Sequence, residues 1–238
     1  MKFVKAGGRA PFLLGMHERC PTSTAADGLP IGTSLVRQVI IFALSVVTCQ
    51  TGDMNHSFVC GNPALDFAAT VRARLGVPID KFTSPESLEA WFRESGIVDG
   101  DTKCRPADLE QAIVIREAIY SLVHAKIAGT GYDGDALSIV NDAARTPPAI
   151  PQLTPNGRQT KATPMEALST VARHAIEVLS GPDAPLLKEC ANHECTRVYI
   201  DRSRGARREW CAMDPCGNKM KAAAYRARKR EDKLVSAA

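Results

Sequence analysis

Four cysteines near the C-terminus form the strongest chemical pattern in this sequence. Cys190 and Cys195 have four residues between them, and Cys211 and Cys216 repeat that spacing after a fifteen-residue, arginine-rich insert. Two short-spaced thiol pairs are typical of a metal site, and four thiolates complete the tetrahedral shell of a structural zinc ion. Such a shell has no open position for water, so the pattern predicts one structural Zn²⁺ without metal catalysis. Iron–sulfur ligation is the alternative that the spacing leaves open.

Basic residues surround the second cysteine pair. Residues 197–233 contain twelve Lys/Arg against five Asp/Glu, whereas the whole chain has a net charge of only +4. This asymmetry predicts that the C-terminal end alone contacts a polyanion, with a solvated, incidentally charged helix as the alternative. The predicted nucleic-acid contacts are Arg202, Arg204, Arg207 and Arg208 in the insert, and Asn218, Lys219, Lys221, Arg226, Arg228 and Arg230 after it.

Short elements must position the cysteines and the basic residues. Residues 197–200 have the composition of a strand, which is expected to return into Trp210 after a turn. Tyr199 and Trp210 are expected to cover the metal. Residues 218–232 have a helical pattern. The predicted docking face of that helix consists of Met220, Ala223, Ala224 and Ala227.

A larger, mainly helical body precedes the metal module, so the sequence predicts an α+β fold of helices with small β-hairpins. Asn156-Gly157 between extended segments predicts one hairpin. Asp66, Thr70 and Arg116 form a candidate ligand pocket, with helix capping and a surface ion pair as the alternative. Helices are predicted from Pro63, from Pro85, over Pro106–Ala128, over Gly134–Ala144 and over Met165–Leu179.

The first 53 residues are set apart from this body. They lack sustained periodicity, and their apolar run at residues 39–47 is shorter than the roughly 20 residues that span a bilayer. Because a coherent domain opens at Met54, residues 1–53 are predicted to be a non-native or disordered extension. A signal peptide with a late apolar segment is the alternative. The predicted domains are therefore 1–53, a helical body over 54–183 and a zinc finger over 186–234.

Two sets of motifs resemble known families. The run Trp210-Cys211-x-Met213-x-x-Cys216-Gly217-Asn218-Lys219-x-Lys221, with Asp201-x-Ser203 and Arg208 before it, resembles the CGNR zinc finger. Lys219 stands where that family has arginine, which keeps the charge but loses planar bidentate bonding. Glu209 also departs from the paired basic residues expected before tryptophan.

The body is similar to the ABATE domain that precedes this finger in bacterial proteins. Its opening signature matches Leu65-Asp66-Phe67-Ala68-Ala69-Thr70-Val71, with Ala69 in place of asparagine. The later Leu88-x-x-Trp91 and Arg116-Glu117-Ala118 are similar as well. Together the resemblances cover about residues 57–233. They imply a stress-induced transcription regulator that binds DNA through its finger, and no established ligand for the body.

The sequence as a whole predicts a zinc-dependent, DNA-binding transcription regulator of the bacterial cytoplasm, associated with the nucleoid when bound to double-stranded DNA. An RNA-binding or protein-interaction adaptor with a purely structural zinc is the alternative. We find no nucleophile paired with a base, no phosphate loop and no open metal site, so an enzyme is not expected. A small-molecule effector and a homodimer are candidate partners, and a membrane is not.

Overall fold

Proline and small polar caps determine where the body helices begin. The computed structural model describes residues 56–235, except the side chain of Leu234, so the predicted extension over residues 1–53 lies outside the described part. Proline opens four helices, a position where its missing N–H costs nothing. The five body helices are α1 (Pro63–Ala68), α2 (Pro85–Glu94), α3 (Pro106–Ala128), α4 (Gly134–Arg145) and α5 (Pro164–Ser180).

The strands form three separate antiparallel pairs. The predicted hairpin is confirmed, but its turn lies one residue earlier than Asn156-Gly157. Thr154 pairs with Gly157, which already begins a strand, so Pro155 and Asn156 form the loop. The helices and these small sheets together confirm the predicted α+β class. The pairs are β1 (Val71–Arg72) with β2 (Ile79–Asp80), β3 (Pro151–Thr154) with β4 (Gly157–Thr160), and β5 (Leu187–Glu189) with β6 (Val198–Ile200).

The predicted strand returning into Trp210 is wrong. Strand β6 pairs instead with β5, which lies before the first cysteine. The segment after β6 is held as a turn because Asp201 accepts hydrogen bonds from the backbone N–H groups of Ser203, at 3.0 Å, and Arg208, also at 3.0 Å. A carboxylate that binds these amides leaves them unavailable for a β-ladder.

One apolar core connects the body and the finger. Helices α1, α3 and α5 pack around it, and Trp91 of α2 meets Phe67 edge-on with ring centroids 4.8 Å apart. Leu187, Val198 and Ile200 of the β5–β6 pair belong to the same buried cluster. Strand β6 of the finger is thereby packed against the body. None of the helices within residues 56–235 is long and apolar enough to cross a bilayer.

A chain of alternating charges runs through the body. Arg116 is fully buried and donates to both carboxylate oxygens of Asp80, at 2.7 and 2.8 Å, and to Glu117 at 2.9 Å. The carboxylate of Glu117 also accepts hydrogen bonds from Nη1 and Nη2 of Arg74, at 2.5 and 3.1 Å. Burial opposes the charge on Glu117, yet the two arginines hold its pKa below the ordinary value. Each buried charge thus depends on its neighbours.

We expect Arg116→Met to lower the free energy of unfolding by about 3–5 kcal/mol, because removing one member of a buried ion network leaves its partners uncompensated. Urea denaturation followed by circular dichroism measures the change. The matched control is Arg93→Met, whose half-exposed side chain pairs with Asp101 at 3.7 Å and should cost no more than about 1 kcal/mol. Equal losses in the two variants would contradict the assigned role of the network.

Candidate metal centre

The four predicted cysteine sulfurs lie together. All four Sγ atoms are within 4.8 Å of one another, and Cys211 Sγ is 3.7 Å from both Cys195 Sγ and Cys216 Sγ. A tetrahedron built on Zn–S bonds of about 2.3 Å has edges of about 3.8 Å, so the spacing fits one Zn²⁺. Each cysteine is at least 95% buried, which makes the centre closed and structural.

Local backbone bonds bring the two cysteine pairs together. Cys190 donates its N–H to Arg197 O at 2.9 Å across the hairpin, and Cys195 donates to Asn192 O at 2.7 Å to close the first knuckle. The second knuckle, Met213–Gly217, is a kinked turn in which Asp214 has extended backbone angles (φ −105°, ψ 127°). At Gly217 a Cβ atom would lie 2.9 Å from Met213 Sδ and 3.3 Å from the Trp210 ring. Any larger residue at this position would therefore displace the Met213 side chain.

Polar groups around the sulfurs offset their charge. Four thiolates around Zn²⁺ carry a net charge of −2, and the sulfurs receive the Cys211 N–H at 3.4 Å and Asn192 Nδ2 at 3.6 Å. Arg197, only 4% exposed, places Nη1 3.9 Å from Cys211 Sγ. Burial disfavours the charged guanidinium, but the sulfur contacts outweigh it and raise the pKa of Arg197. Such outer contacts support metal ligands.

Sequence reasoning had missed Asn192 and Arg197 as supports of the metal. The available signal was Arg197 itself, a charged residue that opens the otherwise apolar run Val198–Ile200 two positions after a ligand. His193 lies exposed in the first knuckle and is not part of the sulfur cluster.

Two of the four insert arginines are already engaged in the fold. Arg202 donates to Asp183 Oδ2 at 2.6 Å and to Gly61 O at 3.4 Å. Arg208 lies 4.5 Å above the Tyr199 ring and donates to Val59 O at 3.3 Å. Both guanidinium groups therefore connect the finger with the chain just before α1.

The other two insert arginines face solvent. Arg204 and Arg207 are exposed, and no hydrogen bond or ion pair of their side chains is found within residues 56–235. Nearby, Lys188 and the Ser203 hydroxyl bind Asp201 and hold the pKa of that carboxyl well below its usual range. The turn that carries Arg204 and Arg207 is thus fixed at its base.

The basic helix α6 (Asn218–Val235) starts two residues after Cys216. Every residue from Lys221 to Lys233 is exposed. The predicted docking face is therefore wrong: Ala223, Ala224 and Ala227 lie in solvent, because the helix packs mainly on the turn Met213–Gly217. Lys219 forms an ion pair with Glu194 in the first knuckle. Lys221, Arg226, Arg228 and Arg230 all lie on the exposed length of α6.

The candidate ligand pocket in the body divides into two parts. Thr70 accepts a hydrogen bond from Arg116 Nη1 at 3.3 Å. Asp66 instead accepts the Cys60 N–H at 2.9 Å, and burial raises the pKa of its carboxyl. Asp66 and Thr70 line a cavity of about 120 Å³, which also borders Arg197 and does not include Arg116.

Replacing one ligand should remove the metal. We expect Cys211→Ser to retain less than a tenth of the zinc of the parent protein, which should hold one ion per chain, because the closed shell needs all four thiolates. Atomic absorption of the purified protein measures the ratio. Cys104→Ser is the control, since that half-buried thiol lies outside the sulfur cluster; zinc lost from this variant instead would contradict the assignment.

Arg197→Gln should lower the zinc affinity by about 10–100-fold, the range typical for loss of a residue that supports a metal ligand. Competition with a chromophoric chelator at fixed pH reports the affinity. Arg158→Gln, an exposed change of equal charge in β4, should leave it unchanged. An unchanged affinity in Arg197→Gln would show that the guanidinium does not stabilise the thiolates.

Two family models match this chain. A family model for the ABATE domain, described as "Putative stress-induced transcription regulator", matches residues 61–182. A model for the CGNR zinc finger matches residues 187–229, which include all four cysteines. A search of curated proteins found no match. Because the first match spans more than half of the chain, the protein belongs to the ABATE family and carries a C-terminal CGNR zinc finger.

Proposed function

We propose that this protein is a zinc-dependent transcription regulator whose finger binds the phosphates of double-stranded DNA. The observation that carries the proposal is helix α6, which has seven Lys/Arg against two acidic residues and is exposed on all sides from Lys221 to Lys233. Lys/Arg contacts to phosphates release counterions and supply most of non-specific affinity. A helix so charged and so uncovered is suited to that contact.

The dimensions of α6 suit a duplex. Its 18 residues extend about 27 Å at 1.5 Å per residue, and the major groove of B-DNA admits an α-helix. Asn218 lies exposed at the end nearest the zinc site. In the proposed complex, Lys221, Arg226, Arg228 and Arg230 contact phosphates on either side of the groove.

The insert supplies a second, smaller set of contacts. Arg204 and Arg207 are free for phosphate within the described part of the chain, so we place them at the interface. Arg202 and Arg208 remain predicted contacts, but they rank lower because a phosphate must compete with Asp183 and with backbone carbonyls for them. Lys219 competes in the same way with Glu194.

An RNA-binding or protein-interaction adaptor is the second candidate. The deep, narrow major groove of A-form RNA does not admit side chains, and Tyr225 is the only aromatic residue of α6, which gives single strands little to stack on. The matched families are of regulator and zinc-finger types rather than enzymes. A cytoplasmic, nucleoid-associated location, a small-molecule effector and a homodimer are further parts of the proposal.

The triple variant Arg226→Gln, Arg228→Gln, Arg230→Gln tests the role of α6. We expect weaker binding to duplex DNA and a slope of log K against log salt concentration that is shallower by about 3, since each lost phosphate contact removes about 0.9. Fluorescence anisotropy with a labelled duplex of random sequence, at several salt concentrations, gives both quantities.

The matched control removes three exposed charges from the body, with Arg145→Gln, Arg158→Gln and Lys161→Gln. It has the same net charge as the test variant and should keep the parent slope. If the body variant loses as much affinity for duplex DNA as the α6 variant does, the loss follows from net charge and not from contacts made by α6. Parent protein that prefers duplex RNA or single strands in competition would favour the adaptor instead.

A further inference from the structure

A cavity of about 610 Å³ lies along the C-terminal half of α3 and the segment that follows it. Its volume falls in the range of small-molecule sites, roughly 300–1,000 Å³. It is separate from the smaller cavity beside Asp66 and Thr70, and it shares none of that cavity's lining. Neither the zinc centre nor the proposed DNA contacts use it.

Aromatic and small side chains form most of the wall. Tyr120, His124 and Tyr132 contribute rings, and Ala125 and Ala128 contribute small apolar side chains. The ring centroids of Tyr120 and His124 are 4.3 Å apart. His124 Nε2 is buried and has no hydrogen-bond partner within the described residues. A wall of aromatic and small side chains with a few polar groups suits a planar ring.

The charges around the cavity disfavour an anion. Glu117 and Asp133 line it, whereas no lysine or arginine does. Glu117 is compensated by Arg74 and Arg116, and Asp133 caps α4 by accepting the Ala136 N–H at 2.9 Å. Because the lining itself has no lysine or arginine, an anionic ligand would find no positively charged partner in the wall.

One residue, Arg74, contacts both the cavity wall, through its side chain, and the zinc finger, through its backbone. The Arg74 guanidinium lies 3.9 Å from the centre of the Tyr120 ring and binds Glu117, so it contacts two residues of the cavity wall. The backbone N–H of Arg74 donates to Thr196 Oγ1 at 3.3 Å. Thr196 directly follows the zinc ligand Cys195, so only two contacts separate the cavity from the first knuckle.

We propose that this cavity binds a planar aromatic molecule, neutral or cationic, and that Arg74 transmits its occupancy to the first zinc knuckle. A ligand that packs against His124 and the Tyr120 edge restricts the ring on which Arg74 stacks. Restricting Arg74 in turn steadies its bond to Thr196, which is coupling through reduced motion. The inference goes beyond DNA binding, since both steps occur in the protein alone.

Three probes that share the indole ring system but differ in charge test the ligand class: indole (neutral), tryptamine (cationic) and indole-3-acetate (anionic). Saturation-transfer NMR on the zinc-loaded full chain, without DNA, measures binding. Indole and tryptamine should bind with dissociation constants on the order of 1 mM, as expected for fragments of this size, and indole-3-acetate at least tenfold more weakly. Equal binding of the acetate would overturn the assigned charge preference.

Filling the cavity tests its location. Ala125→Leu should weaken tryptamine at least tenfold, and Ala128→Leu, at an exposed position of the same wall, provides a second variant should the first fail to fold. Gln111→Leu places the same side chain on an exposed part of α3 away from the cavity and should bind as the parent does. If Ala125→Leu and Ala128→Leu both fold and bind tryptamine as the parent protein does, this site is rejected.

Amide hydrogen exchange tests the transmission. Saturating tryptamine should slow exchange in residues 190–196 at least twofold, while the distant β3–β4 hairpin stays unchanged as an internal control. In Arg74→Lys, which keeps the charge but loses the stacked, bidentate guanidinium, the slowing at the knuckle should disappear at saturation. Slowing that persists there, or that is absent from the parent, would refute the relay. Because no DNA is present, either result leaves the test of DNA binding independent.

Discussion

The thiolate centre determines where the basic surface lies. On one side of it, β6 is seated in the apolar core and donates the Ile200 N–H to Cys60 O at 2.9 Å. On the other side, α6 has almost no packing of its own. The metal is therefore the link through which a buried strand orients an exposed helix, and the direction of α6 follows from the turn at Cys216. Loss of zinc would separate these two elements even where the body stayed folded.

Several arginines of the finger have partners within the fold. A buried Zn(Cys)₄ centre is a dianion, and Arg197 supplies the nearest positive group. Helix α6 begins two residues after Cys216, so the positive end of its dipole lies near that ligand. Arg202 and Arg208 hold the insert on the body. A count of positive charges along the sequence thus does not distinguish the arginines that stabilise the finger from those that stay exposed.

The sequence predicted local features well and pairings between distant segments poorly. The spacing of the cysteines, the bounds of α3 and the presence of the β3–β4 hairpin follow from short-range chemistry, and the structure has all three. The partner of β6 could not be predicted in this way, because β5 lies before the first cysteine pair and Asp201 captures the amides of the expected return strand. Strand pairing depends on which segment the core brings close.

The prediction of a docking face on α6 was wrong for a similar reason, since burial depends on distant segments. Small apolar residues at helical spacing predict a face, but they do not show that anything covers it. The sequence did not predict a role for Arg74 either. Its contacts are with Tyr120, Glu117 and Thr196, which are up to 122 residues away in sequence and are brought together only by packing. Neither a residue type nor a period carries that information.

The exposure of α6 has an energetic consequence. An isolated helix of this length is marginal in water even when rich in alanine, and α6 packs mainly on the turn Met213–Gly217 that precedes its first residue. Its far end should therefore fray, and each residue that a partner orders costs about 1–2 kcal/mol of backbone entropy. Alanine, lysine and arginine, the best helix formers, reduce that cost. The composition of α6 therefore has two effects: it carries positive charge, and it lowers the entropic cost of forming a rigid helix.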